Sequence, residues 1–262
     1  MSEPAILLEN VSKQYPLYHQ ISGGLKHFLF NLPESLRAVR NSQFEVLADI
    51  SFEVRRGETF GIIGKNGSGK STTLGLIAGV LTPTKGRVVT NGRISPLLEL
   101  GGGFHHELTG RENIILSGVL LGLRRAEVLL KMEEIIEFTD IGDFIDQPIR
   151  VYSSGMLARL GFSMVATLDP EILLIDEILA VGDLNFQQKC MDRMMAFKKS
   201  GVTMVFVSHR MEDVLKMCDR VAWIEDHRIM CQGSAKEVVE RYLEADRDQR
   251  AAISKQQSSE SH

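Results

Sequence analysis

The chain has 262 residues, 44% hydrophobic and 24% charged, which suits one medium domain with a small subdomain and a tail. That composition excludes global disorder, collagen and coiled coil, and no apolar run reaches the roughly 18 residues of a membrane span. The net charge of −4, from 30 basic and 34 acidic residues, argues against a dedicated nucleic-acid binder.

The opening MSEPAILLENVSK lacks a basic region followed by an apolar core, so no signal peptide is expected. Residues 5–11 (AILLENV) and 46–54 (VLADISFEV) read as strands. Between them, Ile21, Leu25, Phe28, Leu29 and Leu32 follow helical spacing within an insert over about 16–45. TFGIIG (59–64) is a short apolar run closed by glycine: a buried strand followed by a loop and a helix. GRVVTNGRISPLLEL (86–100) gives two further strand-like runs.

From about 104 to 168 the pattern turns helical. Val128, Met132, Ile135, Ile136 and Thr139 fall on one helix face, as do Met156, Leu160 and Met164. EILLIDE (171–177) is another buried strand, NFQQKCMDRMMAFKKSG a helix, VTMVFVSH (202–209) a strand, MEDVLKMC a helix and VAWIEDHRIMCQG a hairpin. Met191, Met194 and Met195 form a core stripe. Residues 235–244 read as helix, and 246–262 as a polar tail that frays. Short apolar strands alternating with helices imply an α/β fold with a mostly parallel sheet. The early strands, with no helix between them, imply a small antiparallel sheet beside it.

Gly64-Lys65-Asn66-Gly67-Ser68-Gly69-Lys70-Ser71 fits G-x-x-x-x-G-K-[ST] without deviation. Glycines let the backbone curl so that successive N–H groups, with those of the helix start at Thr72, point at phosphate oxygens. Lys70 then reaches the β- and γ-phosphates of a nucleoside triphosphate, and the Ser71 hydroxyl is a Mg²⁺ ligand. The alternative is a flexible Gly/Ser turn with a surface lysine. Asp176 emerges at the C-terminal end of its strand, where ligands bind in open parallel sheets, and can hold Mg²⁺ through water. Glu177 is placed to take a proton from an attacking water. His209 ends a second buried strand and is a candidate to orient that water; its plainer reading is structural. Cys190, Cys218 and Cys231 are odd in number and fit no metal spacing, which points to a reducing, cytoplasmic setting.

The order of phosphate loop, helical insert, Tyr152-Ser153-Ser154-Gly155-Met156, Asp176-Glu177 and His209 resembles ABC-type ATPases over residues 5 to about 243. YSSGM stands for the family's LSGGQ; Ser153 and Gly155 match it, while Tyr152, Ser154 and Met156 depart. The resemblance implies that Ser153 caps a helix aimed at ATP held by a second copy. It puts Tyr15 where the family stacks an aromatic on adenine; a core or turn tyrosine is the alternative. Asp183, in AVGD, falls in the family's dimer-contact loop. LLELGGGF (97–104) lacks the usual glutamine, leaving Glu99 as a candidate metal ligand.

Together LLELGGGFHHELTGRENI, YSSGM and IDEILAVGD look like ATP-binding subunits of polysaccharide exporters of the O-antigen, teichoic acid and capsule group. That resemblance implies a motor over residues 1–245. It would bind ATP and Mg²⁺ as a homodimer at the cytoplasmic face of the inner membrane, driving a separate permease dimer that exports a lipid-linked polysaccharide. The alternatives are another transport substrate, a soluble regulatory ABC ATPase and a non-hydrolytic nucleotide-binding module.

Overall fold

Side-chain alternation along the short strands sets the architecture, because each central strand feeds two cores. The computed structural model describes residues 3–16, 43–97, 103–167, 170–176 and 182–259. Most of the insert over 16–45, with its helical face, lies outside the described residues, as do Glu99 and Glu177.

Among the described residues, strands β1 (Ile6–Pro16), β2 (Gln43–Val54) and β4 (Lys85–Thr90) form an antiparallel sheet in the order β2-β1-β4. Strands β3 (Thr59–Ile63), β5 (Ile94–Leu97), β6 (Ile172–Asp176), β7 (Thr203–Val207), β8 (Arg220–Glu225) and β9 (Arg228–Ser234) form a second sheet. Its order is β5-β6-β7-β3-β8-β9, parallel except for the β8–β9 hairpin. The small antiparallel sheet beside a mostly parallel one is therefore as the sequence implies.

Ile172 and Leu174 of β6, Val205 and Val207 of β7, and Ala222 and Ile224 of β8 turn to one face, where they meet Ile6, Leu8, Ile50 and Val54 of the antiparallel sheet. Helix α1 (Lys70–Ile77) adds Leu74 and Ile77 to that core, and the Phe52 and Phe60 rings stack at 4.9 Å. The intervening residues Leu173, Ile175, Met204, Phe206, Val221 and Trp223 face the opposite core. Helices α5 (Leu184–Lys199), α6 (Met211–Met217) and α7 (Ala235–Ser259) cover it, with Met194 fully buried and Met191 and Met195 packed against it. A third core joins α2 (Gly110–Leu120), α3 (Arg125–Thr139) and α4 (Ser154–Thr167) through Ile114, Val128, Met132, Ile135, Leu160 and Met164. This is the helical subdomain, and Thr109 starts it with a capping box to Glu112.

One expectation needs correction. The tail from 246 is not frayed at its start, because α7 continues to Ser259. Its Ala, Arg, Gln and Lys residues are good helix formers, and Gln249 bonds Glu225 at 3.3 Å and also meets Lys65.

Candidate nucleotide site

Register places the site. Ile62 of β3 and Asp176 of β6 both pair with Val207 of the intervening β7, so the three strands end at one level. Gly64, Asp176 and His209 leave the sheet together at its C-terminal edge, the ligand-binding edge of an open parallel sheet.

The loop 64–71 curls there on glycine. Gly64 has φ +150°, and a Cβ on it would sit 2.0 Å from Ile224 O. Gly69 has φ +103° and caps α1; a Cβ on it would meet Val46 O at 2.7 Å. No side chain fits either position, so the backbone of β2 and β8 can close on the loop. Lys70 is buried, 6% exposed, and its Nζ donates to Gly64 O and Lys65 O at 2.9 Å each. The Ser68 hydroxyl is buried with no hydrogen-bond partner among the described residues.

A cavity of about 490 Å³ opens over this loop. Asn66, Gly67, Gly69, Lys70, Ser71 and Thr72 line one side, and Asp176 and His209 another. These predicted site residues therefore come together. Ser71 and Asp176 supply a hydroxyl and a carboxylate, the hard oxygen donors that Mg²⁺ takes, so the residues fit that ion.

Tyr15 does not line the cavity. It lies on β1, opposite Phe44 on β2, and the Lys13 ammonium sits 4.9 Å from its ring centre. Phe44 and Val46 line the cavity instead, with Phe44 49% exposed. Phe44 is thus the aromatic that lines the cavity, on the strand paired with that of Tyr15. The signal that could have found it is the alternation of Phe44, Val46 and Ala48 on one face of β2.

A second cavity, of about 700 Å³, shares no lining residue with the first. Ser153, Ser154, Gly155 and Met156 line it, with Arg159, Gly182 and Asp183. Ser153 Oγ accepts the Met156 N–H at 3.2 Å, as expected of a residue capping α4. Tyr152 is buried beside it, and its hydroxyl donates to Phe144 O at 2.6 Å. Burial, then the nearby Asp146, pushes the Tyr152 phenol up to about 12.

Arg159, unmarked in the sequence, ties this region together. Its guanidinium donates to Asp140 O and Oδ2 at 3.2 Å and to Asp183 Oδ2 at 2.6 Å, above the Phe186 ring. Asp183 also caps α5 by accepting the Phe186 N–H at 2.9 Å. That backbone bond, then Arg159, holds the Asp183 carboxyl below its usual value.

Arg159→Ala should destabilise the fold by about 1 kcal/mol, since both carboxylates it pairs with are largely exposed. Asp183→Asn keeps a cap but removes the ion pair. A carboxyl depressed on folding stabilises fully above its unfolded pKa of about 3.9, and loses that contribution as pH falls through the lower folded value. The melting-temperature gap between Asp183→Asn and the parent should therefore be constant near neutral pH and narrow as pH falls below about 3.9. A gap that does not narrow there would contradict the ion pair.

The model of the ABC transporter family matches residues 47–180, a range that holds the phosphate loop, Ser153 and Asp176. The chain belongs to the ABC transporter family. Among curated relatives, it is 56% identical over 243 residues to the O-antigen export system ATP-binding protein RfbB of Klebsiella pneumoniae, covering 93% of this chain and 99% of that one. It is 45% identical over 239 residues to the teichoic acids export ATP-binding protein TagH of Listeria innocua, covering 91% of this chain and 70% of that one. Its fold is similar, with a TM-score of 0.69 at 19% identity, to a dimeric ATP-binding cassette in a post-hydrolysis state bound to ADP and phosphate. That likeness covers 88% of this chain and 98% of the other. As an ABC family member with an intact phosphate loop, the protein is an ATPase. Among the described residues, no helix is long and apolar enough to cross a membrane.

Proposed function

We propose that this ABC ATPase is the motor subunit of an exporter, working as a homodimer on a separate permease dimer that moves a lipid-linked polysaccharide of the O-antigen class. The observation that carries the cargo class is the 56% identity to an O-antigen export ATP-binding protein across 99% of that protein's length. On this reading the subunit sits at the cytoplasmic face of the inner membrane, held there by the permease.

The two cavities support the homodimer. Lys70 and Asp176 line one, Ser153 and Gly155 the other, and they share no wall within one chain. A second copy turned face to face brings the α4 N-terminus of each to the phosphate loop of the other, where its N–H groups suit the γ-phosphate. ATP then joins two surfaces that ADP joins less well, so binding closes the dimer and hydrolysis releases it.

Within each site, Lys70 and the loop N–H groups hold the phosphates, and Phe44 offers the adenine a flat face at the cavity wall. Ser71 and Asp176, with Glu99 as a further candidate, would hold Mg²⁺, which when bound neutralises phosphate charge. Glu177 takes the proton of the attacking water, and His209 orients that water.

The test is deletion of the gene in its own cell. Finished lipid-linked glycan should build up inside while the surface loses it, and the wild-type subunit, but not a Lys70→Ala form, should restore the surface glycan. A normal glycan surface in the deletion strain would contradict the cargo assignment.

A further inference from the structure

We infer that His227, on the β8–β9 hairpin, is a positioning residue for nucleotide binding, fixing the strand that carries Phe44 against the phosphate loop. The inference rests on the reading of Phe44 as the adenine platform. It starts from the backbone. Glu225 pairs with Arg228, so Asp226 and His227 form a two-residue hairpin loop, with φ of +46° and +67°. Both lie in the left-handed region, which makes this a type I′ turn. Asn-Gly is the favoured pair there, and histidine is among the few other residues that populate the left-handed region.

The His227 side chain makes contacts that glycine could not. With Nδ1 protonated, His227 donates to Val46 O at 3.1 Å. Its ring stands edge-on to Phe44, with centres 5.6 Å apart and planes at 82°. Its own carbonyl accepts the Ala48 N–H at 2.8 Å. The hairpin of the parallel sheet is thus clipped to β2 of the antiparallel sheet at three alternate residues, Phe44, Val46 and Ala48.

Two of those residues are cavity wall, and His227 itself does not line the cavity. The Val46 carbonyl that His227 holds also sits against Gly69, 2.7 Å from where a Cβ would be. Phe44, half exposed, has the His227 ring as a lateral stop. Removing the imidazole frees the aromatic wall to move while leaving Lys70 and its carbonyl partners in place. Binding energy drawn from the base should fall, and binding energy drawn from the phosphates should not.

Two variants of the full chain test this. His227→Gly accepts the positive φ without strain and keeps the turn and the Ala48 bond, so the fold should hold. His227→Asn also tolerates the left-handed region, and its amide N–H stands the same number of bonds from the backbone as Nδ1–H. Affinity is measured for ATP and for inorganic tripolyphosphate, which carries no base, alongside melting temperature and the split between KM and kcat. His227→Gly should bind ATP about 3- to 10-fold more weakly, the range of one lost hydrogen bond. It should bind tripolyphosphate as the parent does, with the loss appearing in KM rather than kcat. His227→Asn should bind ATP more tightly than His227→Gly. Unchanged ATP affinity in His227→Gly overturns the inference, as does an equal loss for tripolyphosphate, which would make the clip a support for the loop. If Phe44→Ala leaves ATP affinity intact, the platform reading itself fails, which separates that failure from this one.

Discussion

Lys70→Ala is expected to abolish ATP hydrolysis and weaken ATP binding about 10- to 100-fold, the equivalent of one charge-assisted hydrogen bond. The lysine is buried, and its ammonium is braced by the Gly64 and Lys65 carbonyls. An ammonium braced by carbonyls of the loop itself can exchange them for phosphate oxygens. Alanine removes the cation and leaves both carbonyls without that donor. Turnover should be measured with the permease present and nucleotide affinity on the subunit alone. Unchanged turnover would remove the phosphate-loop assignment.

Glu177→Gln is expected to slow hydrolysis by about 10² or more while ATP binding survives, the lower end for loss of a general base. Glutamine keeps the size and a hydrogen-bonding tip but cannot take a proton. Asp176, its neighbour in the sequence, ends β6 and lines the nucleotide cavity. With hydrolysis slowed, the ATP-bound dimer should accumulate. Normal turnover in this variant would place the base elsewhere.

The fold was legible where a short apolar run is bounded by glycine, proline or an acid. TFGIIG, EILLIDE and VTMVFVSH each mark a strand buried on both faces, and the run 64–71 marks the loop by the spacing of its glycines, lysine and serine. What stayed hidden depends on packing between distant segments. Phe44 is an unremarkable strand residue until β2 lies across the phosphate loop. Arg159 looks like a solvated helix charge until Asp140 and Asp183 close on it. His227 sits in a hairpin tip, where histidine carries no signal, and its role depends on a strand more than 170 positions earlier. The α7 extension was hidden for the opposite reason: a polar segment has no apolar period to reveal it, yet Gln249 finds Glu225 across the molecule.

The central claim is that ATP is shared between the Lys70 cavity of one copy and the Ser153 surface of another. Its most direct test is the mass of the purified Glu177→Gln protein by light scattering, with and without ATP, and again with Ser153→Arg added. Ser153 is exposed, so arginine displaces no core and costs only a cap, about 1 kcal/mol. The predicted result is a monomer without ATP and a dimer with it, with Ser153→Arg binding ATP yet remaining monomeric. An ATP-dependent dimer that forms equally well with Ser153→Arg would contradict the claim.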